Sequence, residues 1–212
     1  MHKNSNPLKM RILSSLLMIV PLITGCESSS SESWDFGDND PNLVACVGDS
    51  ITHGYNSEGA PYPSRIASLS GKTVLNFGSP GTTTAYGVSI IGSAVARKPG
   101  YVCILFGSND AIHGRSIDDA KENLRQVIAV CKANNCKPII GTPPKMIGSH
   151  SIFDPAAERM AEAIRQLAKE EGVRLVDLYK ASGDGETYLV ADGLHLTDAG
   201  NDLVAKQFNR RL

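Results

Sequence analysis

Short apolar runs alternate with longer helical patterns through residues 43–212, and this alternation constrains the fold more than any other feature. Strands separated by helices require right-handed crossovers and a mostly parallel sheet that is covered on both faces. We therefore predict a three-layer α/β/α sandwich with a mostly parallel five-stranded sheet. The predicted strands are 43–47, 73–77, 101–106, 137–141 and 173–178. The predicted helices are 62–70, 84–97, 116–134, 155–171 and 197–212.

The charge balance argues against one large class of partner. The 212 residues include 21 Lys and Arg against 22 Asp and Glu, which gives a formal net charge of −1. A protein without a basic field does not hold a phosphate backbone, so we expect no nucleic-acid partner. The hydrophobic content of 42% is that of an ordinary globular domain. We also expect the protein to be a monomer.

The beginning of the chain has the pattern of an export signal. Basic residues precede an apolar stretch at 12–23, which is shorter than the ~20 residues of a membrane-spanning helix but suits a signal-peptide core. The stretch ends in Ile-Thr-Gly-Cys, which resembles a bacterial lipobox, in which the cysteine, here Cys26, is lipid-modified. We predict a lipoprotein signal peptide at 1–25 and lipidation of Cys26. The alternative is a plain secretion signal followed by an incidental cysteine.

A flexible Ser-rich acidic tether is predicted at 26–42, followed by one folded domain at 43–212. A lipid anchor at Cys26 would hold this domain on a membrane of the cell envelope, at the periplasmic or extracellular face. Cys131 and Cys136 flank a short polar linker, and in an oxidising compartment they could form a disulfide, which the sequence leaves open.

Glycine-rich polar loops follow the predicted strands. In open sheets of this kind, ligands bind beyond the carboxyl ends of the strands. The loops contain, in chain order, Gly48-Asp49-Ser50, Gly78-Ser79-Pro80-Gly81-Thr82, Gly107-Ser108-Asn109-Asp110 and Asp192-Gly193-Leu194-His195. Because these loops lie at the same end of the sheet, we expect one crevice to contain Ser50, Gly81, Asn109, Asp192 and His195.

Residues of these loops fit nucleophilic catalysis on an ester. A serine hydroxyl such as that of Ser50 needs a base to take its proton, and His195 can serve if Asp192 orients its ring. Attack on a carbonyl also places negative charge on its oxygen, which hydrogen-bond donors stabilise. The backbone amide of Ser50, the backbone amide of Gly81 and the side-chain amide of Asn109 are the candidate donors.

These loops resemble the four signature blocks of the SGNH hydrolases, also called GDSL esterases/lipases. The blocks Gly48-Asp49-Ser50-Ile51, Asn76 to Gly81, Gly107 to Asp110 and Asp192 to His195 occur in the family's order, and the resemblance covers about residues 43–212. It implies the flavodoxin-like SGNH hydrolase fold, with Ser50 as nucleophile, His195 as base, Asp192 as its orienter, and Gly81 and Asn109 completing the oxyanion hole. It also implies no metal and no organic cofactor.

Simpler interpretations exist for the same residues. Ser50 could cap the following helix, and Asn109 and Asp110 could only form a turn. Gly78 is a rival to Gly81 in the second block, and we favour Gly81 because its place before two threonines better matches the family's pattern. The three remaining histidines of the predicted domain lack metal-ligand spacing, and we interpret them as rim or surface residues; they are His53, His113 and His150.

The sequence therefore predicts a serine esterase that hydrolyses carboxylic esters through an acyl-enzyme. We expect short acyl groups, such as acetyl on carbohydrate, because no long insertion could serve as a lid. A lysophospholipase or thioesterase acting on lipid is the alternative substrate class. A non-catalytic glycan-binding surface lipoprotein is the alternative of a different class. The residues at 143–154 could line an acyl pocket or only cover the core, and the apolar ones are Met146, Ile147, Ile152 and Phe153.

Overall fold

A parallel sheet of five strands organises the computed structural model, which describes residues 1–2 and 34–212. The strands are β1 (Asp40–Gly48), β2 (Thr73–Gly78), β3 (Pro99–Leu105), β4 (Lys137–Gly141) and β5 (Arg174–Val176). Their order across the sheet is β2-β1-β3-β4-β5, and each neighbouring pair is parallel. The predicted fold class is confirmed.

Helices cover both faces of the sheet. The α-helices of the described residues are α1 (Ser50–His53), α2 (Tyr62–Ser70), α3 (Thr84–Val95), α4 (Ser108–Ile112), α5 (Ile117–Ala133), α6 (Asp154–Glu170), α7 (Leu178–Ala181) and α8 (Asp198–Asn209). A 3-10 helix spans Gly148–Phe153. The five longer α-helices are the predicted ones. The four short elements were missed because each is shorter than the stretch in which a helical period can be recognised.

The buried residues form two main apolar layers, one on each face of the sheet. Alternate residues of β1 point to opposite faces, so Val44 and Cys46 join one layer while Ala45 and Val47 join the other. Helices α3, α5 and α6 complete the Ala45 layer, and α2 and α8 complete the Val44 layer. This arrangement is the three-layer sandwich, and it leaves the carboxyl ends of the strands free for a site.

The segment before β1 belongs to the folded part of the chain from residue 34 onwards. The indole of Trp34 donates a hydrogen bond to the carbonyl oxygen of Asn135 at 3.0 Å, and the ring of Phe36 packs against Tyr101. The predicted tether at 26–42 and the predicted domain start at residue 43 are therefore wrong over residues 34–42. The polar composition of this segment predicted a tether, although its aromatic residues Trp34 and Phe36 have partners in the domain.

The predicted signal peptide and Cys26 lie outside the described residues. Within the described part of the chain, no helix is both long and apolar enough to span a bilayer. The cysteines of this part are all free and buried, including Cys131 and Cys136.

Candidate active site

A tight turn connects β1 to α1 and presents Ser50. A Cβ atom at Gly48 would lie 2.5 Å from the carbonyl oxygen of Leu105, so only glycine fits where β1 ends. The Asp49 carboxylate caps α1 by accepting a hydrogen bond from the amide of Ile51 at 2.9 Å. The capping role considered for Ser50 thus falls to its neighbour, and the Ser50 hydroxyl is free to face the crevice.

The hydroxyl of Ser50 meets the imidazole of His195. The Ser50 Oγ lies 3.0 Å from His195 Nε2, and His195 Nδ1 lies 2.7 Å from Asp192 Oδ2. Ser50 and His195 are 6% and 8% exposed, so the contact is shielded from water but can be reached. The structure brings these three predicted residues into one hydrogen-bonded chain in the order serine, imidazole and carboxylate.

The loop that carries Asp192 and His195 is closed on itself. Leu189 and Leu196 form an antiparallel bridge, and the amide of Val190 donates to the carbonyl oxygen of His195 at 2.9 Å. The adjacent segment then fixes the loop from outside, because the amide of Ile147 donates to the Gly193 carbonyl oxygen at 3.0 Å. A Cβ atom at Gly193 would lie 1.9 Å from the Ile147 oxygen, so glycine is required at this approach.

The Asp192 carboxylate is saturated with hydrogen bonds. Its Oδ1 accepts from the amides of Leu194 and His195 at 2.8 and 3.0 Å. Its Oδ2 accepts from the Asn56 side chain at 2.7 Å in addition to His195 Nδ1. Partial burial acts to raise the pKa of Asp192, but these hydrogen bonds outweigh it and lower the pKa to about 2. Asp192 is therefore ionised at neutral pH and suited to orient a neighbouring imidazole.

The candidate oxyanion donors lie on three loops. The amides of Ser50 and Gly81 have no hydrogen-bond acceptor among the described residues, so both can serve a ligand. The side-chain amide of Asn109 donates to the Thr82 carbonyl oxygen at 2.9 Å, which places it beside Gly81 and leaves its other N–H free. Asn109 is only 8% exposed.

The two glycines of the second block have different structural tasks. Gly78 donates its amide to the Asn76 side chain at 2.8 Å, and a Cβ atom there would lie 2.2 Å from the backbone nitrogen of His53. Gly81 has a φ of +74°, with no atom near its Cβ position. Gly78 is therefore a packing residue whose amide is occupied, and Gly81 is the one that can offer its amide to a substrate.

Two buried aspartates support the loops. Asp110 accepts hydrogen bonds from the amide and the hydroxyl of Thr84, at 3.0 and 2.7 Å, and so fixes the start of α3. Asp49 is fully buried, and its Oδ2 has no partner among the described residues. Burial raises the pKa of Asp49 to about 7, although the hydrogen bond from the Ile51 amide opposes this shift. Asp49 is thus held close to its ionisation point directly beside Ser50.

Three residues outside the predicted set contact Asp192 or His195. The Tyr55 ring packs edge-on against the His195 ring at 5.4 Å between centroids, and Asn56 binds the Asp192 carboxylate. Ser149 Oγ donates to the Asp192 carbonyl oxygen at 2.8 Å. No catalytic pattern in the sequence marks these residues. The available signal for Tyr55 and Asn56 was their position directly after the turn that presents Ser50.

The three histidines predicted as rim or surface residues differ in their exposure and contacts. His53 and His113 are exposed, whereas His150 Nδ1 lies 2.6 Å from the Asp192 carbonyl oxygen. Within the described residues, no group of His, Cys, Asp and Glu side chains is arranged to hold a metal ion.

The apolar residues at 143–154 mainly cover the core. Met146 is buried in a small cluster with Ala111, Ala157 and Leu194, and Phe153 packs against the same cluster. Ile152 instead projects into solvent and is 77% exposed.

Comparisons with known proteins agree with this geometry. The model of the GDSL-like lipase/acylhydrolase family matches residues 46–203. A lipolytic protein of the G-D-S-L family from Desulfitobacterium hafniense has a TM-score of 0.72 at 23% identity, over 81% of this chain and 99% of that chain. A mutant acetylxylan esterase from Geobacillus stearothermophilus has a TM-score of 0.70 at 20% identity, over 82% of this chain and 94% of that chain.

A curated relative has a different name. The N-acylneuraminate cytidylyltransferase of Streptococcus agalactiae serotype III is 22% identical over 148 residues, which are 68% of this chain and 36% of that protein. The chain therefore spans about a third of the length of this relative. The family match covers most of the folded region and includes every loop of the site. The chain belongs to the GDSL-like lipase/acylhydrolase family.

Proposed function

We propose that the protein is a serine esterase that hydrolyses carboxylic esters through an acyl-enzyme on Ser50. The observation that carries this proposal is the hydrogen-bonded chain from Ser50 Oγ through His195 to Asp192, with distances of 3.0 and 2.7 Å. A serine, an imidazole and a carboxylate in this order form the arrangement that activates a hydroxyl for attack on a carbonyl.

Acylation begins with proton transfer from Ser50 Oγ to His195 Nε2 while the oxygen forms a bond to the ester carbonyl carbon. The carbonyl electron pair moves to the carbonyl oxygen, which becomes negatively charged. Asp192 stabilises the imidazolium and keeps its Nδ1 proton in place. The tetrahedral intermediate then expels the alcohol oxygen, which takes the proton from His195, and the acyl group remains on Ser50.

Hydrolysis of the acyl-enzyme repeats these steps with water. His195 takes a proton from a water molecule while the water oxygen attacks the acyl carbon. The proton then passes from His195 to Ser50 Oγ as the carboxylic acid leaves. In both steps the negative oxygen is stabilised by the amides of Ser50 and Gly81 and by the side chain of Asn109. Each such donor contributes about 2.7 to 4 kcal/mol to the transition state.

We propose short acyl groups, with acetylated carbohydrate as the substrate class. The acyl-pocket candidates Met146 and Phe153 pack in the apolar cluster of Ala111 and Leu194, which favours a small acyl group. Tyr55 is 56% exposed beside His195, and an exposed aromatic ring of this kind can stack against a sugar. A structural neighbour named an acetylxylan esterase is consistent with this choice.

A lipid ester is the second candidate substrate. Ile152 is 77% exposed on the 3-10 helix that packs against the Asp192 loop, and Tyr55 adds apolar surface next to His195. A chain-length series of p-nitrophenyl esters from acetate to palmitate separates the two candidates. We expect the highest kcat/KM at acetate, and a maximum at long chains would favour a lipid acyl hydrolase.

Replacement of the nucleophile tests the reaction itself. Ser50→Ala should reduce p-nitrophenyl acetate turnover by at least about 10³-fold without a change in the thermal unfolding midpoint. His195→Ala should have a similar effect, and a fluorophosphonate probe should label the unaltered protein but not Ser50→Ala. Full turnover by Ser50→Ala would exclude Ser50 as the nucleophile. An absence of labelling of the unaltered protein would favour the non-catalytic glycan-binding alternative.

We also propose that the protein is exported and attached to a membrane through a lipid on Cys26, at the cell envelope. The support is the sequence pattern of residues 12–26 alone. In bacteria, Cys26→Ser should move the protein from the membrane fraction to the soluble fraction. Retention of this variant on the membrane would contradict the lipid anchor.

A further inference from the structure

The segment from Gly54 to Asn56 contacts each of the three residues of the proposed triad. The amides of Gly54 and Tyr55 donate to the Ser50 carbonyl oxygen at 2.9 and 3.0 Å. The ring of Tyr55 packs against His195, and the side chain of Asn56 reaches Asp192. The residues that follow the nucleophile helix therefore connect it mechanically to the base and the acid.

Asn56 forms the most specific of these contacts. Its Nδ2 lies 2.7 Å from Asp192 Oδ2, the same oxygen that lies 2.7 Å from His195 Nδ1. An amide that donates to this oxygen restricts rotation of the carboxylate and so keeps the acceptor in the plane of the imidazole. It also withdraws part of the negative charge that the imidazolium would otherwise meet.

The backbone at Asn56 is arranged for this contact. Asn56 has a φ of +49°, in the left-handed region that asparagine tolerates better than most residues. Gly54, with a φ of +90°, precedes it, and a Cβ atom there would lie 2.6 Å from Pro61. The local conformation thus directs the Asn56 side chain across a sequence separation of 136 positions toward Asp192.

We propose that Asn56 is a positioning residue for the acid of the triad, and that its amide both orients Asp192 Oδ2 and moderates the charge that this oxygen presents to His195. The inference rests on the proposed esterase function. Asn56 does not touch the reacting atoms, so its effect passes through Asp192.

A change of charge at position 56 tests this role most directly. Asn56→Asp tolerates the left-handed backbone but replaces the donor with a second carboxylate. An additional negative charge beside Asp192 favours the imidazolium, so a higher pH is needed to free the base. The acidic limb of the pH profile of kcat/KM should then shift upward by about half a unit to one unit.

Loss of the amide without a new charge tests orientation. Asn56→Gly keeps the positive φ and should lower kcat about tenfold with little change in KM, because a hydrogen bond to a charged group is lost. The matched control is Asn135→Gly. Asn135 also has a positive φ, of +56°, but it precedes β4 at the opposite end of the sheet, so this variant should keep the activity and pH profile of the unaltered enzyme.

The other titratable side chains around the pair are unchanged in these variants. Tyr55 packs on His195, His150 contacts the Asp192 carbonyl oxygen, and Glu58 lines a cavity together with Asn56 and Asp192. An upward shift that is larger with Asn56→Asp than with Asn56→Gly, and absent from Asn135→Gly, therefore reports the charge at position 56.

A second readout does not need turnover. The downfield proton resonance of the hydrogen bond between His195 and Asp192 can be titrated by NMR in a Ser50→Ala background, and Asn56→Asp should move its midpoint upward. An unmoved midpoint, or an Asn56→Gly enzyme with unchanged kcat, would overturn the role of Asn56. Neither result bears on the esterase proposal, which is tested separately by the turnover of Ser50→Ala and by fluorophosphonate labelling.

Discussion

Asn109 donates its side-chain amide to the carbonyl oxygen of Thr82 at 2.9 Å, and this bond joins two loops across a sequence separation of 27 positions. The bond occupies one N–H of the Asn109 amide and leaves the second N–H free, and the residue before Thr82, Gly81, also has a free backbone amide. A donor that is oriented before the substrate arrives pays no reorganisation at the moment of reaction. The geometry thus explains why an asparagine suits this loop.

Substitution of Asn109 should separate the loss of a donor from the gain of a charge. Asn109→Ala should lower kcat by about 10²- to 10³-fold, because one oxyanion donor is lost. Asn109→Asp should be at least as inactive, since its carboxylate would repel the developing negative charge. Steady-state kinetics with p-nitrophenyl acetate checks both, with the unfolding midpoint as the folding control. A kcat near that of the unaltered enzyme for Asn109→Ala would exclude Asn109 from the oxyanion hole.

Substitution of Gly78 and of Gly81 by alanine should affect different properties, stability for Gly78 and mainly kcat for Gly81. At Gly78, an added Cβ would lie 2.2 Å from the His53 nitrogen, so Gly78→Ala should lower the free energy of unfolding by about 2 kcal/mol or more. At Gly81, the Cβ meets no atom within 4 Å but the φ is +74°, so Gly81→Ala should cost only about 1 to 2 kcal/mol of stability. Its kcat should fall about tenfold because its amide would turn away from the substrate.

Urea unfolding and kinetics on both variants provide the check. If Gly78→Ala is stable and inactive while Gly81→Ala is fully active, the oxyanion donor is Gly78 and the preference for Gly81 is wrong.

The sequence predicted the elements whose patterns are long and the loops whose residues are chemically unusual. The period of α5 and the apolar runs of β1 and β3 are local signals, so their positions could be read directly. The meeting of Ser50 with His195 followed from the topological rule that the carboxyl ends of parallel strands share one edge.

The rest depended on contacts that no local pattern encodes. Trp34 bonds to the backbone of Asn135, 101 positions away, and its polar neighbours concealed that it belongs to the fold. The role of Asn56 likewise depends on a left-handed backbone and on a distant carboxylate. Helix α4 has 5 residues, too few to show a period, although it carries Asn109.

Asp49 gives the protein a pH-dependent stability. Burial, opposed by the Ile51 hydrogen bond and reinforced by the charge of Asp110, raises the pKa of Asp49 from 3.8 to about 7. Between these two values the unfolded chain loses the proton while the folded protein keeps it. Folding therefore binds a proton in this window, and the contribution of Asp49 to the free energy of unfolding falls as the pH rises from about 4 to about 7.

Asp49→Asn should remove this dependence. The asparagine oxygen can still accept from the Ile51 amide, so the helix cap is kept, and no group titrates. The burial of its amide has a cost that does not change with pH. The variant should therefore gain about 2 to 3 kcal/mol in stability relative to the unaltered protein between pH 5 and pH 8, because each unit of pKa corresponds to about 1.4 kcal/mol.

Urea unfolding at both pH values measures this difference. Asn135→Gly is the control, because it lies at the opposite end of the sheet and removes no titrating group, and its stability relative to the unaltered protein should be the same at pH 5 and pH 8. A stability difference for Asp49→Asn that is equal at the two pH values would show that Asp49 is ionised in the folded protein throughout this range. The carboxyl group would then need a partner for Oδ2, such as a bound water, that offsets its burial.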